Sequence, residues 1–286
     1  MLAALALALT AAASPQLGGC PAFPRTDAWN RDVSHAKVDP RSDAYVASIG
    51  AAAALHPDFG SGRLGAYGIP INVVARTQRP VPIRFTDYGD ESDPGPYPVP
   101  PKARVEAGSD RHVLVVRRGG CKLYELFGAQ REGAGWAAAS GAVFDLRHGT
   151  RRPAGWTSAD AAGLPIAVGL ARPDEASHGP IRHALRFTAP RTRAAYVAPA
   201  RHFASSDHDP SLPPMGQRFR LKRSFSLRGY HGQSLTILRA LKRYGLILAD
   251  NGSPWFLSGA ADPGWHDQDI EQLKRVPARA FEAVRP

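Results

Sequence analysis

HVLVVRRGGCKLYELF, residues 112–127, holds two apolar runs separated by a turn. Residues 112–116 and 122–127 are short and rich in β-branched or aromatic side chains, the composition of strands. The same grammar recurs along the chain, at 69–74, 81–85, 142–146, 183–188 and 196–199, while 218–222 and 224–228 alternate polar with apolar residues. Turn signals separate these runs roughly every ten residues, the rhythm of an all-β domain. The expected fold is therefore mainly β: a single-domain β-sandwich or jelly-roll-like barrel with a few short helices.

Helical patterns are sparse. Residues 42–54 read as a helix with Ser42 as cap and Ala44, Val46, Ile49 and Ala53 free to pack. Residues 233–244 place Leu235, Leu238, Leu241 and Tyr244 at helical spacing, and Gly245 is a fitting residue just past the end. Asp267 or Asp269 is a cap for a short helix reaching Leu273. Between these, 246–249 leads into the turn signal Asp250-Asn251-Gly252, and Trp255-Phe256-Leu257 restarts a strand. With 286 residues, 43% of them hydrophobic, the chain can bury a sizeable core, and its 28 Gly and 26 Pro suit a loop-rich β protein.

The first fourteen residues, MLAALALALTAAAS, are nearly all apolar. The run is too short to span a bilayer and reads as a signal peptide, although it lacks a Lys or Arg. That leaves 15–286 as one β-rich extracellular domain, secreted, periplasmic or at the cell surface, with no transmembrane segment beyond the signal and expected to be a monomer. Export favours a disulfide between the two cysteines, Cys20 and Cys121. In the competing reading, Leu17-Gly18-Gly19-Cys20 is a lipoprotein box and Cys20 carries a lipid anchor. The formal charge is +11, and residues 181–244 hold thirteen Arg or Lys against Asp207 and Asp209. Such a field attracts a polyanion, an anionic surface or an acidic sugar, and equally describes a solvated face.

Several groups are candidates for chemistry. Asp87, Asp90, Glu91 and Asp93 fall within DYGDESDPGPYPVP, residues 87–100, where prolines stiffen the chain. Asp90 and Glu91 are ligand-binding candidates at a cleft rim, and calcium is a possible cofactor, although the EF-hand pattern is missing. Asp145, on a strand face with Arg147, should keep a low pKa and suits a base or nucleophile. Glu125, with Leu123 and Phe127 on its face, should have a raised pKa and suits a general acid. Two carboxyls in opposed environments are the equipment of glycoside hydrolysis. His183, His202 and Asp207 form a third group, as acid/base residues or metal ligands, with Arg186 nearby to stabilise negative charge; no tight zinc spacing exists, so no metal ligands are assigned. Trp255 beside Asp250 and Asn251 is a candidate sugar platform. Gly60-Ser61-Gly62-Arg63-Leu64-Gly65 matches a dinucleotide loop but has neither the preceding strand nor a following helix. Serine elbows, phosphate loops and nucleic-acid motifs are missing, and no nucleic-acid partner is expected.

The segments CPAFPRTDAWNRDVS, LHPDFGSG, DYGDESDPGPYPVP, CKLYELF, SGAVFDLR, HALRF, YVAPARHFASS and LKRYGLILADNG together resemble an uncharacterised family of secreted or cell-surface bacterial proteins. Some of those relatives are parts of larger extracellular proteins with carbohydrate-associated modules. The resemblance implies a Cys20–Cys121 bridge and implies no catalytic role for any residue. The function expected first is an extracellular carbohydrate-active protein, a polysaccharide hydrolase or lyase with carboxylate or histidine acid/base groups. The alternatives are a non-catalytic module that binds a glycan of the cell envelope and a basic structural protein of the envelope.

Overall fold

The structure, a computed structural model, describes residues 14–285 apart from 64, 66 and 150. The signal peptide expected at 1–14 lies, but for Ser14, outside the described residues.

The expected strand pair of residues 112–127 forms the middle of a four-stranded sheet. Its order is Ser140–Asp145, Lys122–Phe127, Val113–Arg117, Ile71–Val74, with two antiparallel pairings and one parallel. Side chains alternate across a strand, and here both faces are dry. Leu114, Val116, Leu123, Ala142 and Phe144 enter the main core, while Val113, Val115 and Leu126 enter a second cluster with Tyr97, Val99 and Trp136. The second cluster also takes Ile83 and Phe85, from the short sheet in which Ile83–Phe85 pairs parallel with Gly135–Ala138.

The main core is shared with a six-stranded sheet. Its order is Phe281–Val284, Arg218–Leu221, Leu246–Asn251, Leu185–Ala189, Phe256–Ser258, His56–Asp58. Leu185–Ala189 and Leu246–Asn251 run parallel, which requires a crossover. That crossover contains a helix packed against Arg218–Leu221. There are five helices among the described residues: α1 (Ser42–Gly50), α2 (Ile166–Gly169), α3 (Pro173–His178), α4 (Gly232–Arg243) and α5 (Asp267–Glu271).

The sandwich or jelly-roll expectation is thus corrected to a mixed α/β fold, with five separate sheets among the described residues. Turn spacing reports how often the chain reverses, not whether neighbouring strands run parallel. The unbroken apolar runs 113–116 and 246–249 belong to strands buried on both faces, as in parallel and mixed sheets. Residues 224–228 form no strand; Phe225 and Leu227 lie half-buried against the core from a turn. α1 buries Tyr45, Val46 and Ile49 as its pattern requires. The Ser42 hydroxyl does not cap it; instead it accepts from Ala283 N at 2.9 Å. That contact, a Val38–Val284 bridge and Asp39 N donating to Ala283 O lock the last strand beneath the first helix. α4 ends as expected at Gly245, whose φ is +73°. A Cβ there would lie 2.1 Å from Phe219 O, so no other residue fits.

Cys20 and Cys121 form the disulfide, with Cα atoms 5.5 Å apart. It ties a segment 101 residues upstream to the start of the Lys122–Phe127 strand. Replacing both cysteines with serine should lower the unfolding free energy by about 2–4 kcal/mol, mainly by freeing the unfolded chain. Urea denaturation of the two proteins measures this; a loss under about 1 kcal/mol would mean that native packing alone holds the segment.

Candidate functional site

The acidic segment is committed to structure. Asp93 Oδ2 accepts from Val143 N at 2.7 Å and pairs with the guanidinium of buried Arg152. Glu91 Oε2 accepts from Thr157 N at 2.7 Å, and Arg152 also donates to Glu91 O. Ser92 and Asp93 thereby clamp the Ser140–Asp145 strand to the 152–158 loop. Asp90 lies exposed in a single 3₁₀ turn, Gly89–Glu91. These carboxylates face backbone N–H groups and an arginine rather than a common point. Among the described residues no three His, Cys, Asp or Glu side chains are grouped to hold a metal ion.

Asp145 and Glu125 do not form a catalytic pair. In the ladder Asp145 opposes Lys122 and Glu125 opposes Ala142, so the two carboxyls lie on opposite faces of the sheet. Asp145 is bound by Lys122 Nζ at 3.0 Å and by Arg147 N. Partial burial works to raise its pKa, but hydrogen bonds from Lys122, His148 and Arg147 outweigh it and hold the group at about 2. Glu125 is fully buried; its two oxygens accept from Ile166 N and Ala167 N at the start of α2. Burial prevails over those bonds and raises it to about 7. Both directions agree with the sequence expectation, but neither group faces the other.

Trp255 is no sugar platform. It is fully buried, stacks on Phe187 and Phe281, and donates from Nε1 to Gly50 O. Asn251 braces a loop, accepting from Thr192 Oγ1 and donating to Ala204 O. His183, His202 and Asp207 do not converge. His183 lies buried against Glu175 Oε1 (2.9 Å) and Ala184 O, with Arg172 completing the ion pair. His202 Nδ1 meets Ala161 O at 2.7 Å, and Asp207 pairs with Arg191.

What does converge is one face of the six-stranded sheet. Partners across a ladder share a face. Thr188 opposes Asp250 on one side and Phe256 on the other, and Phe256 opposes His56. The result is a row, His56–Phe256–Thr188–Asp250, across four strands, and all four residues are partly buried. Next to it, Ser258 opposes Asp58, and Arg186, two residues before Thr188, points to the same side. The row carries a ring platform, since His56 stacks on Phe256 with centroids 4.0 Å apart and planes at 13°.

Beneath the row Arg186 is almost wholly buried. It donates from Nε and Nη2 to Asp160 Oδ2 at 3.2 and 2.8 Å and from Nη1 to Ser258 Oγ at 2.9 Å. Asp250 Oδ2 stands 3.7 Å from the same Nη2, and Asp250 retains 26% of its side-chain exposure. Asp160 is fully buried and also accepts from Ala162 N, whose turn is fastened to the Leu246–Asn251 strand through Ala249 O. One guanidinium therefore serves two carboxyls. Burial comes first and raises both carboxyls, and the charge of Asp160 raises Asp250 further. Asp250, the farther and more accessible, is raised to about 7. Burial also raises Asp58, and burial followed by Lys274 lowers His56.

Behind the pair lies His112, whose Nδ1 meets Glu106 Oε2 at 2.6 Å and Nε2 meets Ala159 O at 3.0 Å. Burial opposes its charge, but the Glu106 hydrogen bond and carboxylate prevail and raise it above 6.5. A histidine raised by folding contributes stability that is complete below 6.5 and lost as pH climbs through the folded value. Asp250 acts in the same direction: its protonated form favours the fold below 3.8, and that contribution is lost as pH rises through about 7. Asp145 acts oppositely, losing its contribution as pH falls from 3.8 through about 2. Stability should therefore be highest in acid, fall as pH rises from 3.8 through about 7 with Asp250, and go on falling above 6.5 with His112. His112→Gln should flatten that decline in a series of melting temperatures against pH; an unchanged slope would assign the decline elsewhere.

Sequence reasoning picked out Arg186 and Asp250 but missed Asp160, Ser258, Thr188, Phe256, His56 and Asp58. HPDF carried the one local hint, with His56 and Asp58 at strand spacing. No helix among the described residues is long and apolar enough to cross a membrane. Comparison of the chain with protein-family models, with curated proteins and with solved structures found no match.

Proposed function

We propose that the face carrying His56, Phe256, Thr188 and Asp250 is the active surface of an extracellular carbohydrate-active enzyme, a polysaccharide hydrolase or lyase. The observation that carries this reading is Asp250: a partly exposed carboxyl, 3.7 Å from Arg186, that burial and then the neighbouring Asp160 charge raise to about 7. Such a group is matched to general acid catalysis at physiological pH. The stacked His56 and Phe256 rings support the substrate class, since a sugar ring lies flat on such a platform while Thr188 and Asp250 take its polar groups. Asp250 donates the proton to the leaving oxygen, and His56 and Asp58, on the same face, are the groups available as base. Arg186 is a positioning residue, holding the Asp160 carboxyl beneath the surface through two hydrogen bonds. The apolar leader and the disulfide support an exported location.

The test is a panel of neutral and acidic polysaccharides incubated with the oxidised protein in mild acid. New reducing ends identify a hydrolase, and an unsaturated, ultraviolet-absorbing product identifies a lyase. Saturable binding without product would replace the catalytic reading with a glycan-binding module.

A further inference from the structure

Two cavities of about 440 and 320 Å³ adjoin at Arg182, Arg243 and Tyr244. They form a groove between α3, α4 and the segment around residues 25–32. Its walls carry Arg25, Arg31, Arg182, Arg239 and Arg243. Asp32 is the one carboxylate among the lining residues, and Arg243 takes it at 2.8 Å. Arg25, Arg31, Arg182 and Arg239 make no side-chain hydrogen bond or ion pair with described residues. The groove thus concentrates four uncompensated guanidiniums, whereas much of the charge counted along 181–244 is spent inside: Arg186, Arg218 and Arg220 are all buried.

We propose that this groove binds a carboxylated polysaccharide, a run of uronate residues. Guanidinium forks match carboxylates in two-pronged geometry, and Arg182 and Arg239 stand ready for them. Pro180 gives the groove an exposed apolar surface, and Ala176, Ile181 and Ala240 are buried beneath it. The concavity suits a polymer chain better than a flat anionic membrane. Single-stranded nucleic acid would need exposed aromatic faces for its bases, and Tyr244, the aromatic residue of the lining, is 7% exposed. The groove lies just before the Leu246–Asn251 strand and Asp250 near its end, so the two sites are separated by about one strand length, roughly 15 Å. The inference names the substrate class for the reading above, yet the two can fail separately.

The probe is polygalacturonate, with dextran as the neutral control, measured by calorimetry on the oxidised protein. Saturable binding to polygalacturonate that weakens steeply with salt is expected, with none to dextran. Arg182→Ala and Arg239→Ala should each weaken it about fivefold, and together about twenty-five-fold. Arg79→Ala, an exposed arginine elsewhere, should bind as the parent does. Equal losses in Arg79→Ala would reduce the effect to net charge and overturn the groove. So would unchanged binding in the double variant, or binding to anionic vesicles or oligonucleotides with none to polygalacturonate.

Discussion

Arg186→Met should lower the unfolding free energy by about 3–5 kcal/mol near neutral pH, the usual cost of leaving a buried charge without its partner. At roughly 2–4 °C per kcal/mol for a large domain, the melting temperature should fall by on the order of 10 °C. The reason is specific to the arrangement. Asp160 is fully buried, and without Arg186 its Oδ2 keeps none of its donors, while Oδ1 retains only Ala162 N. The loss should shrink in mild acid, where Asp160 can take up a proton instead of remaining an orphaned anion. Adding Asp160→Leu should recover much of the stability, because it removes the fully buried carboxyl, while Asp250, with 26% of its side chain exposed, keeps Asn251 N and solvent. Denaturant titrations of the single and double variants at two pH values decide it. A single variant within about 1 kcal/mol of the parent would mean that water, not Arg186, solvates Asp160.

Asp250→Asn should lower turnover on the polysaccharide identified by the panel by on the order of a hundredfold to ten-thousandfold, the range of general acid–base contributions. The fold should survive, since asparagine keeps an oxygen for Asn251 N, now 2.8 Å from Asp250 Oδ1. The substitution also removes a carboxyl whose ionisation is opposed by burial and by Asp160, so the melting temperature should hold or rise above neutral pH. Asp145→Asn, on a different sheet, should leave turnover near the parental value. Steady-state rates for both variants, beside their melting curves, separate chemistry from stability. Turnover within twofold of the parent in Asp250→Asn would remove Asp250 from the proposed mechanism.

Elements with strong local patterns were legible from sequence. The strand at 122–127, the helix ending at Gly245 and the fates of the two cysteines follow from composition, spacing and compartment. The sheet architecture was not. Nothing local in His56–Asp58 or Phe281–Val284 announces an edge strand whose partner lies about 200 or 60 residues away. The site was half legible for the same reason. Arg186 and Asp250 stood out as charges among apolar residues, but their meaning depends on Asp160, placed by a loop, and on Thr188, placed opposite Asp250 by a bulge between Phe187 and Thr188. Glu125 shows the converse hazard. Its apolar neighbours correctly signalled a raised pKa, yet burial is complete, so the property comes without access to substrate.

The C-terminal strand has a further consequence for how the protein comes into being. Phe281–Val284 forms one edge of the six-stranded sheet, and it is also the element that fastens α1 through Ser42 and Val38. During synthesis the Ala283 backbone that α1 needs as a neighbour therefore leaves the ribosome 241 residues after Ser42. Until then α1 has a finished sequence and an unfinished site, and its apolar side waits exposed. Contiguous in space, the sheet is assembled from segments made far apart in time, so it cannot close until Phe281–Val284 has been made.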